Sequence, residues 1–503
     1  MGKPILIRLF GIFVLCLSLL GVAACTVNPA TGKKSFTTFM SQEQEIRVGQ
    51  SEHPKILQSF GGAYDDRELN AYVNRVGRSL AAVSELPNLK FTFTVLNDDV
   101  VNAFALPGGF IYISRGLLAL VESEAEMAGV LAHEIGHVTA RHAAQRYSST
   151  MAANIGLAVV QMLSGPDDPN SGGLGTNQLL GVVAQLALRS YSREQEMESD
   201  MLAVRYLVRT SYSPDAMSSF FYKLRAHTEL LAFEAGNPGL ANQAGGLLST
   251  HPRTADRIKQ AITLAKEAPR SNYIVKRDTM LRHVNGLLFG DDPKQGIIKG
   301  QRFIHSDLGV TFKVPPAFKM ANSPERVVAN GPDGAVIIFD MEKAEKAAQI
   351  RDLKAYLTDQ WGQGLSMKDV EEIYVNGLKA ATGQGRVKTK GGGLKDIRLL
   401  AIREGKSRLY RFLFSTPPAF TSRHVKGFRG TTYSFRRMTP SETSGIKEMR
   451  LRVLTIGRRD TAAGLAARMP MEKNGRRWFE VINGMAPGQP IKPGEKVKIV
   501  VKR

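Results

Sequence analysis

The sequence predicts a multidomain chain. A mainly α domain with a small edge-strand sheet comes first, a small α+β domain follows, and a strand–helix–helix–strand module closes it. Three observations carry this. Small and apolar residues run without proline through Ser123–Tyr147, a buried helix that contains His133, Glu134 and His137. Residues 300–440 switch to strand-forming runs such as Val310–Pro315, Ala335–Phe339, Leu399–Ile402 and Leu409–Phe414, with a short helix over Asp352–Gln360. Residues 447–503 read as a strand at Arg450–Leu454, helices over Asp460–Met469 and Trp478–Gly484, and a strand after the Pro493-Gly494-Glu495 turn. At 503 residues the chain is long enough for two or three domains. The expected segments are 1–24, 25–270, a linker at 271–299, 300–440 and 447–503. No repeat period stands out.

The first segment reads as a signal peptide. Lys3 and Arg8 precede an apolar run, Leu9 to Ala24, that is short for a membrane span and ends in small residues. Only Cys16 and Cys25 occur, so a mature chain starting at Cys25 has no disulfide, and any metal must be held by His and carboxylate side chains.

Within the first helix His133-Glu134-Ile135-Gly136-His137 is an H-E-x-x-H run. Histidines at i and i+4 share a face and can hold one zinc ion, and Glu134 is placed to take a proton from zinc-bound water. Ser123 with Glu126 forms a capping box for this helix. Two histidines leave a catalytic zinc one protein ligand short. A third histidine six residues after His137 is excluded, because position 143 is Ala143; His142 points about 100° away and suits a carboxylate or carbonyl partner. A second helix opens at Ser192 with Gln195 as boxing residue. On it Glu196 and Asp200 share a face; Glu196 can supply the third ligand and Asp200 can orient a zinc histidine. An acidic helix start favoured by the helix dipole accounts for the same residues, and spacing leaves both readings open. Asn102 to Ile113, turned at Pro107-Gly108-Gly109, reads as a hairpin beside the zinc helix. Its strand at Asn102, Ala103 and Phe104 can pair with an extended substrate through main-chain hydrogen bonds.

These residues resemble the zinc metallopeptidase family of HtpX, BepA and the CaaX prenyl protease. Four stretches carry the resemblance: Asn102–Gly109 with Ile111-Tyr112-Ile113 and Arg115-Gly116; His133–His137 with Arg141-His142; Tyr191-Ser192-Arg193 with Glu196 and Asp200; and Ser249-Thr250-His251-Pro252 with Arg257-Ile258. They lie between about Ser41 and Lys266. Ser199 stands where the family usually has Ala. The resemblance implies a zincin-like peptidase domain with one Zn2+, ligands His133, His137 and Glu196, general base Glu134 and Asp200 behind the ligands. It also sets His251 over the zinc, as donor to the oxyanion or as a fourth ligand at rest; a plain loop-ending His-Pro is the alternative. Val22-Ala23-Ala24-Cys25 resembles a lipobox, which implies lipid on Cys25 and an outer-membrane lipoprotein facing the periplasm. The last segment resembles a LysM module, which implies peptidoglycan as a partner.

Net charge is +21. Between Lys379 and Arg437 stand fifteen Lys or Arg against Asp396 and Glu404, a stretch that attracts anionic surfaces or forms a solvated sheet face. No nucleic-acid motif is present. The expected function is a lipid-anchored periplasmic zinc metalloendopeptidase acting on unfolded or misassembled envelope proteins. A zinc-containing chaperone-like scaffold and a hydrolase of peptidoglycan peptides are the competing readings.

Overall fold

The computed structural model describes residues 25–164, 190–236, 251, 255–389, 392–471 and 473–503. The segment 1–24, read as a signal peptide, lies outside them. Contacts divide the chain into two compact units. One comprises residues up to Leu57, Gly62–Phe289 and Arg450–Val501; the other comprises Gln58–Gly61, Gly290–Met449 and Lys502–Arg503.

The first unit opens with paired strands β1 (Cys25–Val27) and β2 (Lys34–Phe36), then helices α1 (Gln42–Ser59) and α2 (Arg67–Ala81). Strands β3 (Thr92–Leu96), β4 (Ala103–Leu106) and β5 (Phe110–Ser114) form a three-stranded sheet with β5 central, parallel to β3 and antiparallel to β4. The β4–β5 hairpin turns at Gly108 and Gly109, both at positive φ, which glycine adopts without steric cost. A short helix α3 (Arg115–Leu120) leads into α4 (Glu124–Thr139).

Helix α4 is the centre of the unit, with all but one of its residues buried. Ser123 caps it through the Glu126 amide. The reciprocal half of the expected capping box is absent: Glu126 instead accepts from the Glu122 amide at 2.8 Å and from Lys223 Nζ. The expected run to Tyr147 is also broken. Arg141 takes a left-handed conformation (φ 55°), α4 stops at Thr139, and α5 (His142–Ser164) sets off in a new direction. The break is held from outside: Arg141 reaches Glu45 Oε2 at 2.9 Å and the Met40 carbonyl at 2.6 Å, and Asn28 Nδ2 donates to the Ala140 carbonyl at 2.8 Å. Those partners lie a hundred residues away in sequence, so helical periodicity alone passed over the kink.

Helices α6 (Arg193–Arg209), α7 (Asp215–Glu234), α8 (Ala255–Glu267) and α9 (Arg277–His283) complete this part, and α6, α7 and α9 all pack on α4. The capping box of Ser192 and Gln195 is present at the start of α6. A Cβ at Gly136 would lie 2.7 Å from Ser199 Oγ and 3.1 Å from the Ser199 carbonyl, so glycine is what allows α4 and α6 to touch there.

The second unit is larger and richer in strands than expected. Strands β6 (Ile297–Lys299), β7 (Arg302–His305) and β8 (Val310–Lys313) form one sheet, completed by a short strand at Arg436–Arg437. Strands β9 (Lys319–Asn322), β10 (Arg326–Asn330), β11 (Val336–Met341), β12 (Lys368–Val375), β13 (Leu378–Lys388), β14 (Leu394–Glu404) and β15 (Arg408–Thr416) form an antiparallel seven-stranded sheet, ordered β12-β13-β14-β15-β11-β10-β9. An aromatic core fills the space between the sheets; Phe312 meets Phe412 edge to face at 5.1 Å. Helix α10 (Thr421–Ser434) lies along one face of the large sheet, where Phe428 packs on Phe414 at 4.9 Å.

The chain then returns to the first unit. A strand at Met449–Thr455, helices α11 (Ala462–Ala467) and α12 (Gly475–Ile482) and a strand at Lys496–Lys502 follow in the expected order, and the two strands pair. Docking is intimate. Lys498 is fully buried, and its Nζ donates to the Ala119, Leu120 and Val121 carbonyls at the end of α3, at 2.8, 3.3 and 2.9 Å. Trp478 donates to Glu234 Oε1 at 2.9 Å. Gly484, at positive φ, passes so close to Lys223 that a Cβ would fall 2.3 Å from Lys223 Cε. Among the described residues no helix is long and apolar enough to cross a membrane.

Candidate metal centre

Helices α4 and α6 place their polar faces against one another at the Gly136–Ser199 contact. His133 and His137 from α4, and Glu196 and Asp200 from α6, flank that contact, His137 and Asp200 as its immediate neighbours and His133 and Glu196 one turn before. Residue 251, immediately before α8, brings a third imidazole. His133, His137, Glu196 and His251 are all buried, and one ligand atom from each lies within 4.8 Å of the others.

The spacing within this group suits a metal ion. A tetrahedral zinc with bonds of about 2.0–2.1 Å has ligand–ligand edges near ~3.4 Å. His133 Nε2 and His137 Nε2 are 3.0 Å apart, and His133 Nε2 and His251 Nδ1 are 3.3 Å apart. His251 Nδ1 lies 2.8 Å from Glu196 Oε1, and His137 Nε2 lies 3.6 Å from the same oxygen. Three imidazole nitrogens converging on a carboxylate in a buried site are costly unless a cation sits among them.

Around the donors lies a second layer. Asp200 Oδ1 is 2.9 Å from His133 Nδ1, although the ring N–H does not point squarely along the contact. Arg257 from α8 is buried and grips both carboxylates. Its Nε and Nη2 donate to Asp200 at 2.7 and 2.8 Å, and its Nη1 lies 2.6 Å from Glu196 Oε2. His137 Nδ1 meets His142 Nδ1 at 2.8 Å, and His142 passes the contact on to Glu198 Oε2 at 3.0 Å. Tyr191 stacks on His137 at 3.8 Å between ring centres.

The charges respond to this packing. Burial opposes charging of His133, but the Asp200 and Glu196 carboxylates outweigh it and push the group up to about 9. Burial and the neighbouring His133 hold His137 well below the usual histidine range. For Glu196 burial is overcome by His251 and Arg257, so its carboxyl sits far below the ordinary value. Glu134 goes the other way: burial raises it. Among the described residues neither of its oxygens has a hydrogen-bond partner, and His251 Nε2 lies 3.5 Å from Oε1. An unengaged, desolvated carboxylate beside a metal-ligand cluster is equipped to move a proton.

The sequence-predicted residues His133, Glu134, His137, Glu196, Asp200 and His251 are thus brought together. Asn102, Ala103 and Phe104 are buried in and just before β4, which packs on α4; among the described strands β4 pairs on one side only. Ser249, Thr250 and Pro252 lie outside the described residues. Sequence reasoning gave no role to Arg257, which comes from a helix 57 residues beyond Asp200, nor to Tyr191 as the stacking partner of His137. Arg257 stood in the fourth of the stretches that carry the resemblance, but its spacing carries no periodic signal of its partners; the pair of carboxylates it neutralises was the available clue.

Histidine and glutamate donors from two buried helices, with a second glutamate poised beside them, define a zinc metallopeptidase site. Residues 67–265 match the model of Peptidase family M48 and form a domain of that zinc-dependent family. The chain is 29% identical over 235 residues to the beta-barrel assembly-enhancing protease of Yersinia pestis, covering 45% of each protein. It is 28% identical over 257 residues to the mitochondrial metalloendopeptidase OMA1 of Schizosaccharomyces pombe, covering 50% of this chain and 68% of that one. To OMA1 of Arabidopsis thaliana it is 31% identical over 196 residues, covering 39% and 36%. The chain spans about half the length of the bacterial relatives it matches.

Proposed function

We propose that this chain is a zinc-dependent metalloendopeptidase of the bacterial envelope that acts on unfolded or misassembled envelope proteins. The observation that carries the activity is the buried convergence of His133, His137, Glu196 and His251 beside the unpartnered carboxylate of Glu134. The beta-barrel assembly-enhancing proteases among its relatives support the envelope role.

His133 and His137 through Nε2, and Glu196 through its carboxylate, would hold the ion. Zinc, when bound, supplies a Lewis acid that polarises the scissile carbonyl and acidifies water. Glu134 accepts the proton of the attacking water and delivers it to the leaving amine; its burial makes it a stronger base than an exposed glutamate. Asp200 holds the His133 ring in place, and Arg257 keeps Asp200 and Glu196 ionised and oriented. Substrate lies extended along β4 near Asn102, Ala103 and Phe104, paired through main-chain groups. The buried Asn102 Oδ1, unpartnered among the described residues, is a ready acceptor there.

His251 has two parts to play. With Nδ1 2.8 Å from Glu196 and Nε2 3.5 Å from Glu134, it fills the place substrate and water must take. With zinc bound, it would be placed to serve as a fourth ligand at rest and, once displaced by substrate, to donate to the developing oxyanion. A lipid on Cys25 would tether the enzyme to the outer membrane on its periplasmic side. The closing strand–helix–helix–strand module, LysM-like in order, would bind peptidoglycan.

The test is Glu134→Gln, which keeps shape and removes the base. Cleavage of an unfolded envelope protein should fall by about 10²–10⁴-fold with zinc still bound, and the variant should retain substrates in the periplasm. Residual cleavage within tenfold of the parent would sink the assignment. Alanine at His251 must change turnover; unchanged turnover removes it from the site.

A further inference from the structure

The second unit contains a cavity of about 850 Å³ between one face of β12–β15 and helix α10. That volume lies within the range of roughly 300–1,000 Å³ typical of small-molecule sites. One wall is apolar: Phe414 from β15 and Phe428 from α10 pack together, and Val425 beside them is left 45% exposed. Tyr433, 48% exposed, closes one end.

The same cavity holds two arginines, Arg398 and Arg429, with no carboxylate in direct contact among the described residues. Arg386 is paired with Asp396 at 2.6 Å. Arg398 stands between the strands and the helix and makes only neutral contacts. Its Nε donates to Thr382 Oγ1 at 3.0 Å and its Nη1 to Thr432 Oγ1 at 3.2 Å, and its guanidinium lies over the Phe414 ring at 5.4 Å. Both hydroxyls already donate to backbone carbonyls, so they fix the guanidinium without neutralising it. Burial and then the repulsion of nearby Arg429 bear on Arg398, against the attraction of Tyr433 and Glu371, and neither arginine has a carboxylate within ion-pair distance among the described residues. The acidic residues of the lining that remain, Asp369 and Glu371, belong to the edge strand β12. Two guanidiniums without a direct ion-pair partner, Arg398 half-buried and Arg429 exposed, stand at the edge of an apolar wall and suit an anion attached to an apolar body.

We propose that this cavity binds an anionic amphiphile, with an aliphatic chain along Phe414, Phe428 and Val425 and a phosphate or carboxylate head against Arg398 and Arg429. The head and chain can come from a free single-chain amphiphile or from a lipid presented by a bilayer.

The test uses the full chain with dodecyl phosphate as probe, below its micellar concentration, read by titration calorimetry. Dodecyl phosphate should bind at least about tenfold more tightly than dodecanol or inorganic phosphate, since neither carries both halves of the ligand. Arg398→Met and the exposed-site variant Arg429→Met should each weaken it by about tenfold, and Val425→Asp should do the same from the apolar side. Arg429 and Val425 are surface positions, so their variants keep the test valid if Arg398→Met fails to fold. Co-sedimentation with phosphatidylglycerol vesicles, but not with phosphatidylcholine vesicles, identifies a bilayer source; monomer binding without co-sedimentation identifies a free amphiphile. Equal affinity for dodecanol and dodecyl phosphate, or unchanged affinity in Arg429→Met and Val425→Asp, overturns the proposal. So does preference for an apolar peptide with a free C-terminal carboxylate when dodecyl phosphate does not bind.

Discussion

Gly136 sets the distance between the two halves of the metal site, and adding one methyl group there should disable the site with little loss of fold. A Cβ at position 136 lies 2.7 Å from Ser199 Oγ and 3.1 Å from the Ser199 carbonyl, while ordinary contact begins near 3.4 Å. Relief requires α4 and α6 to separate by about 0.3–0.7 Å, the shortfall of those two contacts. The His137 Nε2–Glu196 Oε1 edge, now 3.6 Å, would open to roughly 4 Å, beyond the ~3.4 Å that tetrahedral zinc asks for. Overpacking costs about 1–3 kcal/mol, and alanine returns about 1 kcal/mol of helix propensity, so the net loss of stability is about 0–2 kcal/mol. The activity effect is larger, because displacements approaching 1 Å at a reacting centre cost about 10²-fold. Gly136→Ala should therefore melt within a few degrees of the parent yet bind zinc more weakly in a chelator competition and cleave peptide about 10²-fold more slowly. Ser199→Ala removes the closest obstructing atom, so the double variant should recover part of both zinc affinity and turnover. Full activity in Gly136→Ala, or no recovery in the double variant, would show that the helix contact does not govern the site.

Two further outcomes follow from the same geometry. Removing zinc with a chelator should abolish cleavage and lower stability by about 4 kcal/mol when zinc had been at a thousand times its Kd, a Tm drop of about 6 °C by calorimetry for a unit of this size; an unchanged Tm would mean no ion bridges α4 and α6. Burial pushes the Lys498 ammonium down to about 7, whereas in the unfolded chain it titrates near ~10.4. Between those values the unfolded state carries about one more proton, so raising the pH favours the folded state. Urea titrations should show the parent gaining up to about 1.4 kcal/mol per pH unit relative to Lys498→Met between pH 7.5 and 9.5, and parallel curves would refute this.

Most of the candidate site was legible because its spacing is local: His133, Glu134 and His137 within one helix, Glu196 and Asp200 one turn apart on another. The caps at Ser123 and Ser192 were legible for the same reason. What joins the helices was not. Arg257 neutralises two carboxylates from a third helix, and the left-handed Arg141 is held by Met40, Glu45 and Asn28 across long sequence separations. The strands between Lys368 and Lys388 escaped because their polar and glycine content hides the alternation that one buried face imposes. Residues 450–501 have their own pattern, yet nothing in it announces that Lys498 ends its reach at carbonyls 377 residues earlier.

That last contact bears on how the protein is made. The carbonyls at the end of α3 emerge early in synthesis and then wait for Lys498. At bacterial or eukaryotic elongation rates of about 5–20 residues per second, 377 residues take about 20–75 s. For that interval the zinc helix lacks the final strand, and Gly484 has not yet closed over Lys223 and its bond to Glu126. Residues 290–449 of the second unit must emerge before the first can finish. The protease domain therefore begins to emerge before residues 290–449 and is completed after them, and a chain cut short within that interval carries the candidate metal ligands without their finished support.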